Sequence, residues 1–142
     1  MRRATRATLA TAAIAVLAFG GGAAATAAPS IPVNNGQETT GATGGAHGFF
    51  SYTIDGDQFC YTLEVEGLTT PTVAAHIHVG PRKVAGPVVV PISVPNETSF
   101  ETSGCTTADP ALLAAIAENP RDYYVNVHTP TYPGGEVRGQ LK

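Results

Sequence analysis

The chain has 142 residues, 43% hydrophobic and 13% charged, with eight Lys and Arg against 11 Asp and Glu for a formal charge of −3. Arg2, Arg3 and Arg6 precede every acidic residue, and beyond them five cations face 11 acids, a net charge of −6. That balance leaves no basic patch to neutralise phosphates, which argues against nucleic-acid binding and against adhesion to anionic membranes.

Residues 1–27 read as a secretory signal. The three arginines form a positive head, Leu9 to Phe19 an apolar run, and Ala25-Thr26-Ala27 a small-residue cleavage pattern. The run is too short, and too soon followed by Gly20-Gly21-Gly22, to span a membrane. The mature chain is therefore expected to be secreted, extracellular or in the cell envelope, with no membrane span. Its length fits one domain.

Residues 28–45, rich in Gly, Thr, Asn and Pro, predict an extended N-terminal arm or a first edge strand. Phe50 to Ile54 and Phe59 to Glu66 alternate apolar and polar residues around Asp55-Gly56-Asp57, the pattern of a β-hairpin. In the second of these strands Tyr61, Leu63 and Val65 should face the core. Val73 to Val79 is the next strand, ended by Gly80-Pro81. Val88 to Val94 is also β-prone, with Pro91 marking an edge or a bulge. A further strand opens after Asn96-Glu97-Thr98.

One helix is expected, capped by Asp109, started by Pro110, striped by Leu112, Leu113 and Ile116, and stopped at Asn119-Pro120. Asp122 to His128 and Glu136 to Leu141 complete the strands. Short strands between Gly/Pro turns, with one short helix, predict an all-β fold, a Greek-key sandwich or barrel. Cys60 and Cys105 are the only cysteines, and in an exported chain they predict a disulfide.

Strand parity locates the chemistry. With Ala75, Ile77 and Val79 inward, His76 and His78 point outward together, because side chains at i and i+2 of a strand share a face. By the same rule Tyr124, Asn126 and His128 point outward, as do Glu136, Arg138 and Gln140. His76, His78 and His128 are therefore the candidate metal ligands, with His47 as a fourth. Neutral imidazole suits copper or zinc, and copper is expected ahead of zinc. Three nitrogens sharing one metal must come within about 4 Å of one another. Asn126 and Glu136 are candidates to orient the rings from behind, and Arg138 beside Glu136 suggests a cross-strand ion pair. The serines lack a nucleophile-elbow context, and no catalytic set is complete.

Ala75-His76-Ile77-His78-Val79-Gly80-Pro81, Gly86-Pro87-Val88-Val89-Val90, Tyr124 to Thr129 and Pro133 to Leu141 resemble the CHRD (chordin) domain family. The likeness runs from about Gln37 to the C-terminus, with the domain proper at 46–142. It implies an extracellular β-sandwich acting as a binding or structural module toward an extracellular protein or small ligand, rather than an enzyme. The His-x-His strand, the later Val-x-His strand and the late arginine also resemble Cu,Zn superoxide dismutase. That likeness implies a superoxide dismutase-like fold, copper on His76, His78 and His128, and Arg138 as a guide for anions. It carries the alternative function, a copper-dependent oxidoreductase or copper-handling protein. Four histidines cannot furnish both metal sites of that family, so at most one three-histidine centre remains.

Overall fold

The computed structural model describes residues 28–142, so the expected signal segment lies outside the described residues. The strands are β1 (Ile31–Asn34), β2 (His47–Asp55), β3 (Gln58–Glu66), β4 (Ala74–Val79), β5 (Val88–Ile92), β6 (Phe100–Thr107), β7 (Tyr123–His128) and β8 (Val137–Gln140), with one helix, α1 (Pro110–Glu118). They form a single antiparallel sheet in the order β5-β4-β7-β8-β1-β2-β3-β6, curled until its two ends approach. The all-β expectation holds, in its barrel form. The order departs from chain order because the connections β3 to β4 and β6 to β7 cross the structure.

Alternation explains the interior. Ile31, Val33, Phe50, Leu63, Val65, Ile77, Val125, Val127 and Val137 are all buried in one cluster, and side chains rather than solvent fill the barrel. The helix follows its predicted signals: Asp109 accepts hydrogen bonds from the amides of Ala111 and Leu112, and Leu113 and Ile116 enter the core. Cys60 and Cys105 sit directly opposite each other on β3 and β6 and form the disulfide. Closing that 45-residue separation stabilises the fold by up to about 4 kcal/mol through lost unfolded-state entropy.

Two expectations change. Residues 31–34 are an interior strand, paired with β2 on one side and β8 on the other, not an arm or an edge. The terminal strands are β5 and β6; on β5 Pro91 needs no ladder donor, and the β4–β5 register slips at Ile77 and His78 of β4. The outward face of β4, β7 and β8 is also not a surface. Every residue of β7 is buried, because residues 35–45 and 80–87 fold over that face as a roof.

Candidate metal centre

Antiparallel pairing aligns the histidines. His76 lies opposite Asn126, His78 opposite Tyr124 and Ala74 opposite His128. The rings of His76 and His128 are 5.0 Å apart by centroid, those of His78 and His128 5.5 Å, and those of His76 and His78 5.6 Å. One nitrogen from each ring lies within 4.8 Å of the others. The fourth candidate, His47, is elsewhere, on β2. It is 63% exposed, bonded to the Gly45 carbonyl and 3.9 Å from Glu66, so it is not a ligand with the other three.

Hydrogen bonding fixes the tautomers of two rings. His78 Nδ1 lies 2.8 Å from the Gly86 carbonyl, and His128 Nδ1 lies 3.0 Å from the Pro133 carbonyl. A carbonyl only accepts, so both Nδ1 atoms carry the proton. The neutral rings then present bare Nε2 lone pairs, and these face each other at 3.4 Å. Burial keeps the rings neutral: it lowers the pKa of His128 to about 4 and pushes those of His78 and His76 down as well. Two lone pairs at that distance repel unless a cation lies between them.

The spacing suits one. At metal–nitrogen bonds of about 2.0–2.1 Å, a 3.4 Å separation subtends an angle of about 110°, close to tetrahedral. The third ring stands wider, since the full set spans 4.8 Å against the limit of about 4 Å. His76 must turn inward by roughly an ångström to join. Nothing pins it, for its Nδ1 is buried without a hydrogen-bond partner.

The residues expected to orient the rings do other work. Glu136, fully buried, accepts from the Thr69 amide at 2.7 Å, the Thr69 hydroxyl at 3.0 Å and the Thr129 hydroxyl at 2.7 Å. It makes no ion pair with Arg138. Asn126 donates to Glu38 at 2.7 Å. Arg138 is 1% exposed, too deep to steer anions from solvent. Its guanidinium lies 3.4 Å over the Tyr124 ring and donates to the Pro81 and Val84 carbonyls. Arg138 thereby anchors the loop whose Gly86 carbonyl orients His78. Tyr124 reinforces the anchor, stacking on His78 and accepting a hydrogen bond from the Gly86 amide. Gly86 has no room for a Cβ, which would strike the Val79 carbonyl.

Sequence reasoning missed three of these groups. Two are backbone carbonyls, at Gly86 and Pro133, which leave no signature in residue identity. The third is Glu38, a residue of the roof whose side chain is buried against Asn126, where burial lifts its carboxyl pKa to about 6.

A family model, the CHRD domain, matches residues 24–141. The match takes in β1 and the roof segment 35–45 along with the histidine strands. No curated protein and no solved structure matches the chain. No helix among the described residues is long and apolar enough to cross a membrane.

Proposed function

The chain belongs to the CHRD domain family, and from that premise we propose that it is an exported binding module holding one transition-metal ion on His76, His78 and His128. The disulfide and the family fit an extracellular protein. The charged, apolar and small-residue sequence of residues 1–27 supports export. One observation carries the metal reading: two rings, each fixed through Nδ1, direct unprotonated Nε2 atoms at each other across 3.4 Å. An aliphatic or purely hydrogen-bonded core has no reason to keep that contact.

Nitrogen-only ligands favour copper over zinc, because divalent copper leads the affinity order at such sites. A metal on three imidazoles keeps a position open for a small ligand. The protein's part is to hold two rings rigidly and let His76 close.

Metal analysis after equilibration with copper and zinc salts tests the proposal. The wild type is expected to retain stoichiometric copper, zinc less tightly, and His128→Ala to retain neither while keeping its β circular dichroism. No uptake by the wild type, or equal uptake by the folded variant, would overturn it.

A further inference from the structure

We propose that a cleft beside β1 and β8 binds a small organic polyanion, a molecule carrying two or more carboxylate or phosphate groups. The argument begins with the few cations. Of the five beyond residue 27, Arg138 is spent on Tyr124 and the carbonyls of Pro81 and Val84. Lys83 is spent on the carbonyls of Gly36 and Glu38. The remaining three, Arg82, Arg121 and Lys142, come from three separate segments of the chain and line one cavity of about 360 Å³.

That convergence runs against the charge balance. Acids outnumber cations 11 to five beyond residue 27, so scattered cations would find carboxylates. Among the described residues the one salt bridge is between His47 and Glu66. None of the three is therefore neutralised by an acidic side chain within ion-pair distance. Three like charges around one concavity repel each other and focus a positive potential there, and a bound anion relieves both.

The cleft is also prebuilt. Gln140 Nε2 shares its two protons among the carbonyls of Gly80, Arg121 and Tyr123, at 2.8, 2.7 and 2.9 Å. Gln37 donates to the Pro32 carbonyl and accepts from the Gln140 amide. These side-chain amides are committed to the walls, so recognition falls to the guanidinium and ammonium groups. Arginine forks pair with carboxylate or phosphate through two parallel hydrogen bonds. A volume of about 360 Å³ is small for a ligand pocket yet roomier than an inorganic phosphate needs. Pro32 and Leu141 supply apolar wall for a carbon skeleton.

This site stands apart from the histidines, and its test is arranged to fail separately. Metal-stripped, chelator-free protein is titrated above neutral pH with citrate, glucose 6-phosphate, inorganic phosphate and glucose, followed by calorimetry and amide NMR shifts. Saturable binding of citrate or glucose 6-phosphate is expected, weakening as salt is raised, with glucose inert. Arg82→Ser/Arg121→Ser should weaken it by at least about ten-fold, while His128→Ala leaves it unchanged. No saturable binding, equal affinity in the double variant, or loss in His128→Ala would each overturn the assignment. Inorganic phosphate binding as tightly as the organic anions would overturn the polyanion class.

Discussion

Two buried polar clusters lie one residue apart on β7 and its extension, and they are built on opposite principles. Glu136 has no exposure and no cation, yet three donors converge on its carboxylate from Thr69 and Thr129. The histidine cluster beside it has donors engaged only on its outer nitrogens, while its inner ones face each other or nothing. A polar group saturated by the protein has no capacity left for a ligand and serves the fold. A cluster whose lone pairs the protein leaves unmatched costs stability, and persists where something else completes it.

Breaking the saturated side should cost most. Glu136→Ala removes the acceptor shared by the buried Thr129 hydroxyl and by the amide and hydroxyl of Thr69, and a loss of about 3 kcal/mol is expected from denaturant unfolding. Glu136→Gln, which keeps one acceptor oxygen, should lose less. If Glu136→Ala unfolds at the wild-type midpoint, the two clusters do not differ as argued.

Acid should act on the unsaturated side. The His128 pKa in the fold is about 4, below its ordinary 6.5, because burial disfavours the charged ring. The unfolded chain therefore binds more protons between those values, so stability is complete above about pH 6.5 and is lost as pH falls toward 4. On the order of 2–3 kcal/mol is at stake from this ring alone. Unfolding curves across that window should flatten in His128→Asn. A His128→Asn curve with the same slope as the wild type in that window would mean the ring is not held neutral.

Glu38, a residue of the roof, bends the curve the other way. Burial raises its pKa from 4.5 to about 6, so the folded protein holds the extra proton, and its contribution is full below pH 4.5 and fades as pH rises through 6. Glu38→Gln keeps an oxygen for Asn126 without the charge. It should stabilise the protein by about 1 kcal/mol at neutral pH and change little in acid. Equal shifts at both pH values would assign its effect to packing.

The strands and the helix were readable because burial imposes a period on the residues that experience it. Tyr61, Leu63 and Val65 alternate with Thr62, Glu64 and Glu66 as the core and the solvent require, and Asp109-Pro110 starts the helix where capping chemistry puts it. The outward direction of His76, His78 and His128 followed from the same parity, but their gathering depends on β4 lying beside β7, a strand order that parity does not supply. The roof was not readable. Loops 35–45 and 80–87 carry no period, and they close over the site through backbone carbonyls that any residue could supply. Parity says that Arg138 and Glu136 leave the core, but not that a second layer buries them again. Nor does local pattern place β1 between strands that begin thirteen and more than a hundred residues later.

The sharpest test of the contrast is the smallest in stability. His76 contributes a buried Nδ1 with no partner, so the metal-free fold draws no hydrogen bond from it there. His76→Leu replaces that orphan with carbon and removes one neighbour that lowers the His128 pKa. Without metal, its unfolding free energy should stay within about 0.5 kcal/mol of wild type, or rise slightly. With copper present, the wild type should gain stability in proportion to its affinity and the excess of ion, whereas His76→Leu should gain much less. Glu136→Gln is the matching control, destabilised without metal yet still stabilised by copper. A His76→Leu protein that loses several kcal/mol without metal would show that the ring is a structural strut, and the unmatched lone pairs would then need another cause.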